Sequence, residues 1–345
     1  PRSTRKESSA ASDVYKRQNM TRAIILIFLL LSKTAYSQEN KVSKYANTIT
    51  AKELMDNLYV YSSDYFQGRE TGTLGQKRAI DFLQNFYTTS GIAPADGTQN
   101  YLQPMTLFIK GKKVETENLA SIIKGSEYPD EYIIITAHLD HIGIDKNGDI
   151  NNGADDDGTG NVALLEMAEA FKQAEKEGFG PKRSLVFLHV TGEEKGLLGS
   201  KYYTENPLYP IKNTVANLNI DMIGRVNPKR ETEDPNYIYL IGSDKLSQEL
   251  HDISEAVNDK YIQLELDYTY NDERDPNRFY YRSDHYNFAK KNIPVIFYFN
   301  GTHEDYHKPT DTADKINYPV LEKRIKLIFY TAWELANRKN RIKLK

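Results

Sequence analysis

The chain has 345 residues, 27% charged and 39% hydrophobic, with one Trp and no Cys. That composition suits a globular protein with a sizeable core. It excludes a polytopic membrane protein, a disulfide scaffold, a cysteine-ligated zinc module and thiol catalysis. Seven of the Lys/Arg and two of the acids fall in residues 1–37, so a formal charge of −3 for the whole chain becomes −8 for the remainder. A mildly acidic body without a basic block argues against nucleic acid as a partner.

Residues 1–19 precede Met20 and have no hydrophobic periodicity, and Asp13–Gln18 reads like translated sequencing-adapter DNA. This stretch is expected to be non-native. Met20 is followed by Thr21-Arg22, the apolar run Ala23–Leu31, and the small residues Ala35 and Ser37 before Gln38. A basic start, a short apolar core and small residues at alternate positions describe a signal peptide over 20–37, cleaved near Ser37. A permanent anchor needs roughly 20 apolar residues, which this run does not reach. The expectation is a secreted or periplasmic bacterial protein without a stable membrane anchor, with residues 38–345 as a single domain.

Helical spacing predicts helices over Ala51–Tyr61 and Gly75–Gly91, with the turn-forming Gly68 and Gly72 between them. Segments Leu102–Phe108 and Ala120–Ile123 read as strands of a hairpin arm. From Tyr132 onward short apolar strands each run into a polar, glycine-containing turn. Tyr132–Ala137 ends in His138-Leu139-Asp140-His141, and a loop over Gly143–Gly160 leads to a helix, Asn161–Ala174. Leu185–Val190 ends in Thr191-Gly192-Glu193-Glu194, and Ala216–Ile220 ends in Asp221. Tyr237–Ile241 precedes a helix near Leu246–Val257. Val295–Phe299 runs into Gly301–His307, and Tyr318–Arg338 closes the chain as a long helix. Doubly buried strands alternating with helices predict an α/β fold with a mixed, mostly parallel central sheet flanked by helices on both faces.

The candidate chemistry sits where those strands stop. In open α/β sheets ligands bind beyond the carboxyl ends of the strands, where side chains distant in sequence converge. His138 and Asp140, Glu193 and Glu194, Asp221, and the stretch ending in His307 all begin there, and Asp155-Asp156-Asp157 opens a helix. Each piece alone has an ordinary structural reading: a hydrogen-bonded His, helix-capping Asp residues, a solvated Glu pair. Together they would bury several carboxylates at one edge, which costs several kcal/mol each unless cations neutralise them. Two His and several carboxylates without thiolates suit zinc or a similar divalent metal. The Gly-x-Ser-x-Gly, Gly-x-x-x-x-Gly-Lys and Gly-x-Gly-x-x-Gly motifs of competing chemistries are missing from the sequence.

Six ordered stretches resemble the M28 zinc peptidases of bacterial aminopeptidase type: Thr136–His141, Asn152–Gly160, Thr191–Ser200, Asn219–Met222, Ser283–His285 and Tyr306–Thr312. Gly68-Arg69-Glu70-Thr71-Gly72 looks like the family's N-terminal motif. The resemblance implies a zinc-exopeptidase sandwich and two co-catalytic zinc ions. One would be held by His138 and Asp221, the other by Glu194 and His307, with Asp156 bridging both and followed by a cis bond. It also implies Glu193 as general base for a zinc-activated water, Tyr306 as a candidate for oxyanion stabilisation, and Asp140 as the acceptor that orients His138. The implied activity is hydrolysis of N-terminal residues from peptides. Alternatives are a glutaminyl cyclase working with one zinc, and a non-catalytic binding ectodomain. His141, His189, His285 and His303 are expected to be outer or structural residues, and Asp155 and Asp157 to cap or shape the loop. Asp145, Asn147, Asp149 and Asn151 alternate as in a calcium loop but lack its downstream Glu, so turn chemistry is expected there and Ca2+ is not. Phe279–Tyr281 reads equally as pocket lining or as surface and core tyrosines.

Overall fold

Apolar runs become strands and polar turns separate them, as the computed structural model shows for residues 41–345; the readings of 1–19 and 20–37 lie outside the described residues. Residues 45–345 cluster as one unit. The strands are β1 (Ala93–Pro94), β2 (Leu102–Ile109), β3 (Lys112–Ile123), β4 (Tyr128–His138), β5 (Arg183–Val190), β6 (Thr214–Ile220), β7 (Tyr237–Ile241), β8 (Glu265–Asp267) and β9 (Val295–Phe299). They form a nine-stranded sheet in the order β1-β3-β5-β4-β6-β9-β7-β8, with β2 hairpinned onto β3. Its centre, β5-β4-β6-β9, is parallel, and β3 and β7 flank that centre antiparallel. The mixed, mostly parallel sheet is therefore the one expected from the doubly buried strands.

Beyond residue 50 the α-helices are α1 (Ala51–Tyr61), α2 (Leu74–Ser90), α3 (Gly160–Lys176), α4 (Leu198–Glu205), α5 (Gln248–Val257), α6 (His285–Ala289) and α7 (Tyr318–Asn337). Local chemistry sets several of their ends. Thr50 and Thr73 accept hydrogen bonds from the amides of Glu53 and Gln76, and Gly91 closes α2 in the left-handed conformation. The side chains of β5 alternate between two covers, as the twofold period of a strand requires. Phe187 faces Phe171 of α3, which packs against Phe329 and Trp333 of α7 with ring centroids 4.5 and 5.6 Å apart. Val186 and Leu188 join Ile134, Tyr203 of α4 and Phe288 of α6 in a separate cluster. No helix among the described residues is long and apolar enough to cross a membrane.

Candidate metal centre

The parallel register aligns the carboxyl ends of the central strands. His138, the last residue of β4, lies opposite Val190 at the end of β5, and Ile220 of β6 lies opposite Tyr298 of β9. The turns leaving those ends carry Glu193, Glu194, Asp221 and His307, while Asp156 comes from the loop before α3. The peptide bond between Asp156 and Asp157 is cis.

Asp156 stands at the middle with its two oxygens facing different neighbours. Oδ1 is 3.1 Å from His138 Nε2, which is 3.6 Å from Asp221 Oδ1. Oδ2 is 3.2 Å from His307 Nε2, which is also 3.2 Å from Glu194 Oε1. All five predicted ligands thus meet around one carboxylate. Among the described residues two groups have donor atoms close enough to hold an ion: His138 with Asp156 and Asp221, and His141 with Asp156 and Glu194. Donors in a tetrahedral zinc site with bonds near 2.0–2.1 Å are roughly 3.3 Å apart. The separations here bracket that value. Asp156 Oδ2 and Glu194 Oε1 are buried without hydrogen-bond partners, the condition that a cation between them would relieve.

The electrostatics follow from this crowding. Burial opposes charge on Asp156, but the surrounding His141, His138 and His307 outweigh it and hold the carboxyl well below its usual range. Burial and Asp156 likewise oppose charge on Glu194, yet His141 and His307 bring it down to about 2. Burial lowers His307, and its close contacts with the Asp156 and Glu194 carboxylates raise it to about 10. His138 is raised well above its ordinary value against its own burial, by Asp156 and Asp221. Glu193 goes the other way: burial first, then the nearby Asp284, Glu194 and Asp221, push its carboxyl well above the usual range despite His138. The two adjacent acids of this turn are therefore shifted in opposite directions.

The supports explain the geometry. Arg69, fully buried, donates to the carbonyls of Leu139, Asn152 and Gly153 and so ties the β4 turn to the Asp156 loop. Gly68 has φ +65°, and a Cβ there would stand 2.5 Å from the Asn151 carbonyl oxygen. Asp157 accepts from the amides of His138, Gly160 and Met222, and Asp155 from those of Gly224 and, through its backbone carbonyl, the Thr159 hydroxyl. Both shape the loop, as read from the sequence. Asp145 accepts from the amides of Asn147 and Asp149, which is turn chemistry. His189 bonds Tyr87 and Asn161, and His285 stacks on Phe297. His303 packs against Asp155 at 3.2 Å.

Two readings change. Asp140 does orient His138, but through its backbone carbonyl, 3.0 Å from Nδ1; its carboxylate instead accepts from Thr71 and from the Glu193 amide. That carboxylate braces the turn of Glu193. His141, set among outer residues by sequence, has Nδ1 3.0 Å from Glu194 Oε1. Sequence reasoning also gave no role to Ser283, which donates to Asp221 Oδ2 at 2.6 Å and accepts from Asn219. Asn219 is a polar residue on the buried strand β6, and that anomaly was the available signal. Tyr306 stacks on His307 with centroids 3.9 Å apart, and Phe279 joins it in the cavity over Asp156 and Glu193. Of the aromatic run, Tyr281 is exposed.

The chain is similar to known proteins in sequence and in fold. The probable leucine aminopeptidase of Arthroderma otae is 27% identical over 270 residues, covering 74% of this chain and 70% of that protein. The probable zinc metalloprotease of Pyrenophora tritici-repentis is 35% identical over 130 residues, but these span 37% of this chain and 29% of the longer relative. The fold is similar to the Legionella pneumophila LapA aminopeptidase (TM-score 0.68, 22% identity, 88% of this chain and 76% of that one). It is also similar to the glutaminyl cyclase of Porphyromonas gingivalis (TM-score 0.64, 18% identity, 82% and 97%). The sequence profile of Peptidase family M28 matches residues 118–332, a span that begins before His138 and ends beyond His307, and the chain therefore belongs to peptidase family M28.

Proposed function

We propose that this chain is a zinc-dependent aminopeptidase that removes N-terminal residues from peptides at a two-metal centre. The observation that carries the reading is Asp156, with one oxygen turned to His138 and the other to His307 and Glu194. His138 and Asp221 would hold one ion, Glu194 and His307 the other, and Asp156 both. Two divalent ions bound there would acidify a water and polarise the scissile carbonyl.

The chain's own groups do the rest. Glu193 lines the same cavity; with cations neutralising the acids around it, its carboxylate takes a proton from the attacking water, and the burial that strengthens its hold on a proton suits it to keep that proton until it is returned to the leaving amine. The Asp140 carboxylate fixes the Glu193 amide and thereby the direction of that side chain. Tyr306 reaches the cavity beside His307, where its hydroxyl can donate to the oxygen that gains charge in the transition state. Phe279, Phe297 and Phe299 supply an apolar wall for a substrate side chain and exclude water.

The N-terminal segment Met20–Ser37 supports export, hence action outside the cytoplasm. A second reading has one specific observation in its favour, the fold shared with a glutaminyl cyclase. A panel of aminoacyl-anilides, dipeptides and N-terminal glutaminyl peptides, with and without chelator, separates the two. Chelator-sensitive release of N-terminal residues is expected, and cyclisation of glutaminyl substrates without hydrolysis would overturn the assignment.

A further inference from the structure

The second half of the centre has one donor more than the family resemblance implies. His141 is fully buried, and neither ring nitrogen has a hydrogen-bond partner. A buried imidazole left so destabilises the fold unless something else satisfies it. Its Nδ1 lies 3.0 Å from Glu194 Oε1 and 3.7 Å from Asp156 Oδ2, the same two oxygens that His307 Nε2 approaches at 3.2 Å each. These four separations scatter about the roughly 3.3 Å edge of a tetrahedral zinc site. The ring has little freedom to turn away: a Cβ on Gly153 would meet its Cδ2 at 2.5 Å and Cγ at 2.6 Å, and its amide is tied to the Arg69 carbonyl.

We infer that His141 is a direct ligand, through Nδ1, of the ion shared by Asp156, Glu194 and His307. This inference rests on the two-metal reading and deepens it. The two positions then differ in kind. Four protein donors enclose one ion, the coordination of a tightly held site, whereas His138, Asp156 and Asp221 give the other ion three donors and leave a position for water or substrate. The enclosed ion resists chelation and the three-donor ion leaves first.

X-ray absorption of the zinc-loaded wild-type protein counts imidazoles directly. Three per zinc pair are expected (His138, His141 and His307), and two would overturn the inference. His141→Ala should lose one imidazole from that count and weaken the tighter of the two zinc affinities, measured by competition with a chromophoric chelator. The loss should exceed the roughly 10–100-fold that follows when only an outer hydrogen-bond partner is removed. An unchanged imidazole count in the variant would assign His141 to orienting Glu194 and refute ligation. If the wild-type protein binds fewer than two ions, the two-metal reading itself fails. If it binds two and His141→Ala holds both as tightly, only the role of His141 fails.

Discussion

Replacing Glu193 by Gln isolates proton transfer from metal binding. The side chain keeps its size, and the main-chain bond from its amide to Asp140 is untouched. Glu193 belongs to neither of the two groups whose donors lie close enough to hold an ion, so metal content should stay within error of wild type. Stability should hold or rise, because the lost group is a buried carboxyl whose charged form its surroundings disfavour. What disappears is the acceptor and donor of one proton. A positioned acid–base group contributes about 10²–10⁴ in rate, or roughly 3–5 kcal/mol of barrier. The expected result is therefore a kcat lower by that factor with KM nearly unchanged, measured on an aminoacyl-anilide alongside zinc content and Tm. A fully loaded, folded Glu193→Gln enzyme with kcat within tenfold of wild type would refute the assignment.

Glu166 on α3 is buried, and burial first, then Glu53 and Glu169, push its carboxyl up from 4.5 to about 8. The native protein then binds this proton more tightly than the unfolded chain. Its stabilising contribution is full below 4.5 and is lost as pH rises through about 8, a range worth about 5 kcal/mol. Glu166→Gln, which can still accept the Asn57 bond, should flatten that decline in denaturant titrations, and parallel pH profiles would contradict it. Arg324 is fully buried and donates to the carbonyls of Ile223, Arg225, Pro235 and Tyr237, pinning the segment after Asp221. Arg324→Met should cost about 3–5 kcal/mol in unfolding experiments, and a loss under about 1 kcal/mol would show that those carbonyls find other partners. Zinc added near neutral pH to chelator-stripped protein should release protons, because His138 and His307 are raised above their ordinary range and must shed them to bind metal. Calorimetric heats that do not vary with the buffer's ionisation enthalpy would count against this.

The strands that position the site were legible because each is a short apolar run that stops at a charged turn. Val295–Phe299 and Tyr237–Ile241 were read to the residue, and β4 runs past its apolar stretch because Tyr128 pairs with Arg183 across a bulge at one end and His138 pairs with Val190 at the other. The short α4, α6 and β8 were missed, since their shape comes from tertiary packing (Tyr203 on Phe288, β8 on β7) rather than from local periodicity. The candidate ligands were readable for the same reason as the strands: acids at strand ends demand neutralisation. Orientation was not. Whether Asp140 offers its carboxylate or its carbonyl, and which way the His141 ring turns, depends on the backbone path after His138. That path is set by Arg69, more than sixty residues upstream.

Metal analysis of wild type and Asp156→Asn after stripping and reloading tests the central claim most directly. The wild-type protein should bind two zinc ions per chain, one for each group sharing Asp156, and hydrolyse N-terminal residues only when loaded; Asp156→Asn should hold neither ion tightly. A fully active enzyme carrying one ion, or a variant that keeps both, would contradict it.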